Sequence, residues 1–490
     1  MIKTRFAPSP TGFLHIGGLR TALFAYLIAK KNGGDFLLRI EDTDRERFVD
    51  GGIENIIRSL QWAGIKIDEG VDMDTGNEII QKGGSGPYIQ SERLDIYIEY
   101  IQKLLDEGHA YHCFCSKEKL EEVRHEQEEN KQPTIYDGTC RNMPESEVKI
   151  MLREEREHVV RMKMPTEGVT KFNDLIHGEI EFQNKLIDDQ VILKSDGFPT
   201  YHLANVIDDY LMGITNVIRG DEWLPSVPKH IELYKMLGWK PPYFAHLSLL
   251  VNEKKQKLSK RHGDVSVQDF EEKGYLPEAL INFVAFLGWN PGSEKEIFTL
   301  DELEKEFSFE KIGKSPSIFN REKLDWYNRE YIKSMSNEEF ANRVMPFFVN
   351  AGLKVESKKY KIESIIALEK ERANTLVELV DEVAFIFAEK LEYEPTLLVW
   401  KKSTREDAKE KLEQVLQLLS QIDNNNWTKE GTQKIIMDWI SEKSYNNGDV
   451  LWPMRAAISG KKNSPGPFEI ADALGKDKTI ERLETAVKLL

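Results

Sequence analysis

Over the first 95 residues short apolar runs alternate with amphipathic stretches. Residues 2–6 and 36–40 have the length and composition of buried strands, while 19–29, 53–63 and 93–107 carry apolar side chains at helical spacing. That alternation predicts a doubly wound parallel sheet. Residues 96–200 break the rhythm: a charged helix over 117–130 is followed by strand-like stretches at 159–162, 178–182 and 191–194, which predicts an α+β unit inserted into the sheet. The sheet is expected to resume with strands at 201–207 and 216–219 and to close near residue 263, so the α/β unit comprises 1–95 and 201–263. Residues 264–329 read as mostly helical, with an apolar run over 276–287. From 330 to 490 the pattern is helical throughout. Ala408, Leu412, Val415, Leu416, Leu419 and Ile422 form an i, i+3, i+4 stripe suited to core packing, with Thr404 and Asp407 placed as a capping box.

The first strand and the first helix meet in a turn forced by Pro8, Pro10 and Gly12. A helix start offers backbone N–H groups and positive dipole to an anion, and Gly17 and Gly18 leave room for a phosphate or nucleotide. His15 stands at the mouth of that turn, where an imidazole can donate to a phosphate oxygen. The plainer alternative is a helix-start histidine with turn glycines. Far downstream, Lys257-Leu258-Ser259-Lys260-Arg261 adjoins Lys254 and Lys255, a basic run that is either a phosphate-binding loop or a solvated surface.

At 490 residues the chain is long enough for three or more domains. It has no run of 18 apolar residues, and residues 1–5 lack a signal peptide's apolar segment, so neither a membrane span nor export is expected. An odd count of three cysteines argues against a disulfide framework and for the cytoplasm. The net charge of −16 excludes a general DNA-coating or membrane-surface role. Local basic patches remain able to bind RNA, because charges beyond about 10 Å are screened at moderate salt.

Together, His15-Ile16-Gly17-Gly18 and the lysine loop resemble the two signatures of the class I aminoacyl-tRNA synthetases, each in variant form. Pro8-Ser9-Pro10-Thr11-Gly12, Glu41-Asp42-Thr43-Asp44, residues 196–209 and Arg219-Gly220-Asp221-Glu222-Trp223 look like the glutamyl branch of that class, and the resemblance continues to the C-terminus. It implies a Rossmann-like catalytic domain, a connective insertion over 96–200 that holds the tRNA acceptor end, a stem-contact domain over 264–329 and a helical anticodon-binding domain over 330–490. It also implies ATP-dependent attachment of L-glutamate to tRNA(Glu) in two steps, with Mg²⁺ accompanying ATP, by a cytoplasmic monomer. Alternatives are an enzyme that also charges tRNA(Gln) and a non-catalytic tRNA-binding relative. The second should have lost His15 or the lysine loop, and both are present.

By the same resemblance His15, Lys257 and Lys260 act on the phosphates. Pro8, Ser9, Thr11, Gly12, Gly17, Gly18, Trp223, Leu258, Ser259 and Arg261 line the ATP side. Arg5, Ala7, Ser9, Tyr201, Asn205 and Arg219 match the glutamate site, and Glu41 the contact to the α-amino group. The chemistry suits a substrate with two carboxylates, since a guanidinium fork binds two oxygens at once. Cys113, Cys115 and Cys140 resemble a zinc site of some members. Asn142 stands where those members carry a histidine, so the fourth ligand would be Tyr136, as in a related tRNA-modifying paralogue; three free thiols are the alternative.

Overall fold

A computed structural model describes residues 1–258, 265–353 and 362–490. The chain forms two compact units, Met1–Phe270 with Leu280–Arg321, and Glu271–Ala279 with Glu322–Leu490.

The first unit opens with β1 (Lys3–Phe6), α1 (Ile16–Lys31), β2 (Asp35–Leu38), α2 (Gly52–Trp62), β3 (Glu69–Met73) and β4 (Ile79–Lys82). There follow α3 (Leu94–Asp106), β5 (Ala110–Cys113), α4 (Lys117–Glu129), α5 (Glu145–Arg153), β6 (Val159–Met162), β7 (Val169–Asp174), β8 (Gly178–Gln183) and β9 (Val191–Leu193). α6 (Tyr201–Leu211), β10 (Asn216–Gly220), α7 (Val227–Met236), β11 (Tyr243–Leu247) and β12 (Leu250–Val251) lead up to the lysine loop. The large sheet has the order β4-β3-β2-β1-β10-β11-β7-β8. Its strands from β3 to β7 pair in parallel, and an antiparallel strand borders each side. The connection reverses between β1 and β10, and a sheet of this kind binds ligands at the carboxyl ends of the strands at such a point. α1 is buried on most sides, and Thr4 Oγ1 of β1 donates to its Ala25 carbonyl (2.8 Å).

Two expectations change. Residues 201–207 are helical, capped at Thr200. Leu203 to Asp209 are buried without a break, so this segment has no solvent face to display a 3.6-residue period, and a short apolar run of that kind cannot be told from a strand. The hairpin β7–β8, read as part of the inserted unit, extends the large sheet through one parallel pairing of Asp174 with Phe244. The separate three-stranded sheet is β5-β6-β9. Val160, Met162 and Ile192 of that sheet share a core with Tyr97, Leu104, Val206 and Leu233 of α3, α6 and α7.

In the second unit every regular element among the described residues is helical. The apolar stripe lies on Arg405–Ser420, where Ala408, Leu412, Val415 and Leu419 are buried; Ile422 is buried just past its end. Thr404 accepts from the Asp407 N–H (3.1 Å), but the carboxylate of Asp407 turns to Ser403 and Lys411, so only half of the expected capping box forms. No helix of the described residues is long and apolar enough to cross a membrane.

Under the large sheet Asp208 of α6 has no exposure and accepts from Arg93 Nε (2.7 Å), Gln90 Nε2 (2.9 Å) and Tyr97 Oη (2.9 Å). Asp208→Ala leaves a buried guanidinium without its anion, and a loss of about 3–5 kcal/mol in unfolding free energy is expected. A denaturant titration of the first unit's transition checks this. A change under about 1 kcal/mol would show that water or a neighbour replaces the carboxylate.

Candidate active site

At the carboxyl ends of β1 and β10 lies a cavity of about 1220 Å³. Arg5, Ala7, Ser9, Thr11, His15, Gly17, Gly18, Glu41, Tyr201, Asn205, Arg219, Trp223, Lys257 and Leu258 all line it. Pro8 and Gly12 are not among the lining residues; the Pro8 carbonyl instead accepts from the Glu41 N–H (3.0 Å) and so fixes that carboxylate's backbone. Ser259, Lys260 and Arg261 lie outside the described residues.

His15 is the N-cap of α1, and its Nδ1 accepts from the N–H groups of Gly17 (3.0 Å) and Gly18 (3.3 Å). The neutral ring therefore carries its proton on Nε2. This corrects the expectation that the helix offers those N–H groups uncovered to a ligand. A further reason for glycine is packing: a Cβ on Gly17 would stand 2.9 Å from His15 Cε1, and one on Gly18 2.7 Å from Leu14 Cδ1. Both glycines make room for the chain's own side chains. The motif is also stitched to the far side of the lysine loop. Ile16 N donates to Val265 O (2.9 Å) and Val267 N to Leu14 O (2.8 Å). On the near side Lys257 bridges to Val251, and Leu258 N donates to Leu250 O (3.0 Å).

Arg20, absent from the expected site, lines the same cavity. Its Nη1 donates to the Leu287 carbonyl (3.2 Å) and its Nη2 to that of Ser248, tying α1 to the β11–β12 connection. Burial lowers its pKa to about 10.

Deeper in, cations and carboxylates interlock. Arg5 donates from Nε and Nη2 to Asp209 (3.0 and 3.3 Å). Arg39 meets Asp209 (2.9 Å) and Glu41 (3.0 Å). Asn205 turns its amide oxygen to Arg5 Nη2 (3.2 Å) and Arg39 Nη2 (3.3 Å). Burial alone would raise the Asp209 carboxyl, but Arg5 and Arg39 outweigh it and hold it below the ordinary range. For Glu41 burial prevails over the same two arginines, and its pKa rises. Arg5, expected to face a ligand carboxylate, thus already has an anion of its own.

Arg219 differs. It is 5% exposed, and its donors reach Tyr201 Oη (Nη1, 2.9 Å), His246 Nε2 (Nε, 3.0 Å) and His230 Nδ1 (Nη1 and Nη2, 3.4 Å each). No carboxylate among the described residues lies within ion-pair distance of it. His230 and His246 carry no sequence signal of this role, since each stands alone and only the fold brings them to Arg219.

Away from the cavity, the sulfurs of Cys113, Cys115 and Cys140 lie within 4.8 Å of one another. Tyr136 Oη is 3.4 Å from Cys113 Sγ and from Cys115 Sγ, and Cys115 Sγ is 3.5 Å from Cys140 Sγ. The Cys140 thiol, hydrogen-bonded to Cys113, holds Cys113 below the ordinary thiol range and is itself raised.

Comparison with known proteins agrees with this geometry. The family described as "tRNA synthetases class I (E and Q), catalytic domain" matches residues 1–326, and "Anticodon binding domain" matches 339–487. A glutamate–tRNA ligase of Clostridium kluyveri is 46% identical over 492 residues, covering 100% of this chain and 98% of the relative. That of Clostridioides difficile is 43% identical with 98% of each chain covered. The crystal structure of a glutamate tRNA ligase from Elizabethkingia meningosepticum in complex with its amino acid superposes with a TM-score of 0.86, at 38% identity over 99% of each chain. The chain therefore belongs to the class I tRNA synthetases of the glutamate and glutamine group and, within them, to the glutamate–tRNA ligase family.

Proposed function

We propose that this chain joins L-glutamate to tRNA(Glu) at the expense of ATP, acts as a cytoplasmic monomer, and binds its amino acid at Arg219. The observation that carries the amino-acid assignment is the buried guanidinium of Arg219 at the switch point of the sheet, whose hydrogen-bond partners among the described residues are a tyrosine and two histidines. A buried cation normally has an anion, and a ligand carboxylate supplies it here. Glutamate brings two carboxylates and one ammonium. The side-chain carboxylate meets Arg219 and Tyr201, while the ammonium finds Glu41, which lines the same cavity.

Neither chemical step needs a covalent enzyme nucleophile. In the first, the α-carboxylate of glutamate attacks the α-phosphorus of ATP and pyrophosphate leaves; in the second, a terminal ribose hydroxyl of tRNA attacks the mixed anhydride and AMP leaves. The protein positions reactants and stabilises negative charge on phosphoryl oxygens. His15 donates from Nε2 toward those oxygens, Lys257 and Lys260 neutralise pyrophosphate, and the ATP lies against Ser9, Thr11, Gly17, Gly18, Trp223 and Leu258, with Mg²⁺ as its counter-ion. The insertion takes the acceptor end of tRNA, residues 264–329 its stem and the helical unit its anticodon.

We also propose that Cys113, Cys115, Cys140 and Tyr136 hold a structural zinc. A tetrahedral zinc with bonds near 2.3 Å keeps its sulfurs about 3.8 Å apart. Three sulfurs within 4.8 Å of one another, one pair at 3.5 Å, with the Tyr136 oxygen 3.4 Å from two of them, suit that cage, and Asn142 need not enter it.

Glutamate and glutamine are nearly isosteric, so the charge of Arg219 has to separate them. Arg219→Leu should lower kcat/KM for glutamate in tRNA charging by about 3–5 kcal/mol, the usual loss when one partner of a buried pair is removed. Glutamine should lose far less, so the preference narrows. Equal losses for both amino acids would place the specificity pocket elsewhere. For the metal, elemental analysis of protein purified without chelator should find about one zinc per chain, absent in Cys115→Ser. Less than about a tenth of an equivalent in the unsubstituted protein would leave three free thiols.

A further inference from the structure

Arg5, Arg39 and Arg93 touch a carboxylate directly, whereas Arg219 is kept one ring away from that of Asp174. Asp174 of β7, 1% exposed, meets His246 Nδ1 at 2.6 Å, and His246 Nε2 accepts from Arg219 Nε at 3.0 Å. Asp174 thereby fixes the tautomer and plane of His246, since a carboxylate on Nδ1–H leaves Nε2 as the acceptor. On the other side His230 Nδ1 faces both Nη atoms at 3.4 Å, and its Nε2 is 3.1 Å from His202 Nδ1. The guanidinium rests over the Phe244 ring, 5.6 Å from its centroid.

We infer that His246 and His230 are specificity-determining positioning residues: they orient Arg219 by accepting its hydrogen bonds without cancelling its charge, with Asp174 held behind His246 as a remote anion. This rests on the reading of Arg219 as the carboxylate-binding group. Burial drives both imidazoles to stay neutral, His246 down to about 4 and His230 well below its ordinary value. The distances explain why imidazole suits both places. A carboxylate at either would close a direct ion pair on Arg219, as Asp209 does on Arg5, and a glutamate side chain would arrive at an already neutralised pocket. A purely apolar neighbour would leave the donors unpaired and the fork free to rotate. An imidazole backed by Asp174 orients Arg219 while the anion stays at a distance. The long contacts to His230 are weak enough to be exchanged for a ligand carboxylate.

The test moves the anion without changing the total charge. In Asp174→Asn/His246→Glu the carboxylate passes from behind the ring to Arg219 itself. Charging of tRNA with glutamate and with glutamine is measured for this variant, for His246→Gln, and for Arg219→Leu as the reference. The double variant should lose at least about 100-fold in kcat/KM for glutamate and less than about 10-fold for glutamine, the cost of neutralising a buried charge that a charged ligand must meet. His246→Gln keeps a neutral acceptor, so both substrates should fall by a similar small factor and the preference should stand. If the double variant does not fold, His230→Asp places the anion on the opposite side and carries the same expectation. Equal losses for both amino acids in the anion-bearing variants would make the histidines merely structural and overturn the inference. Should Arg219→Leu itself fail to narrow the preference, the pocket reading falls and this inference with it. A narrowed preference in Arg219→Leu alone overturns only the role of the histidines.

Discussion

Asp208 and Asp209 stand side by side on α6 with almost no exposure, and two adjacent buried carboxylates can stay ionised only if cations enclose them. Arg5 comes from β1, Arg39 from the end of β2 and Arg93 from the turn before α3, so the match draws three separated segments onto one helix. Those segments surround the switch point. Ion pairs of this kind add little net stability compared with an apolar core, but removing one partner is costly. The network thus acts as a register: if α6 shifts, no cation remains matched, and Tyr201 and Asn205 at its N-terminal end leave the cavity wall. Arg219 stands apart from these three arginines, because no carboxylate among the described residues lies within ion-pair distance of it.

The turn between β1 and α1 is organised by backbone rather than by charge. His15 caps α1 with one ring nitrogen and presents the other as a donor, and the glycines that follow leave room for the ring. Lys257 and Leu258 are anchored at Val251 and Leu250, and Val265 and Val267 at Ile16 and Leu14. Segments far apart in the chain are therefore joined by backbone hydrogen bonds beside the cavity.

Local chemistry was legible in the sequence, and the pairing of distant groups was not. The strand-turn-helix around His15, the gathering of Arg5, Glu41, Tyr201, Asn205 and Arg219 in one cavity and the approach of the three cysteines could be read because each sits in a recognisable short motif. The helical state of 201–207 was hidden by burial on every side, which erases the period that reports a helix. The partner of Arg5 was hidden by a separation of 204 positions along the chain. Asp174, His230 and His246 were invisible for the same reason, since each is a single residue of common type whose meaning arises only when β7, α7 and β11 meet. Arg20 falls in an apolar helix and looked like an interruption, although it is the group that holds that helix to two loop carbonyls.

A net charge of −16 on a protein proposed to bind a polyanion becomes reasonable once the two kinds of ion pair are separated. Pairs beneath the sheet are dry and fixed. Those at the cavity rim are exposed: Lys257 with Glu222 at 3.7 Å, Lys194 with Asp196 at 2.9 Å, and Arg47 with Asp44. Exposed pairs are worth about 0–1 kcal/mol each, so a phosphate can take the cation from its carboxylate at small cost. Acidic groups farther than about 10 Å from that rim are screened at moderate salt and weigh little against it. What decides binding is how loosely the rim cations are held, and the sum over the chain says almost nothing about that.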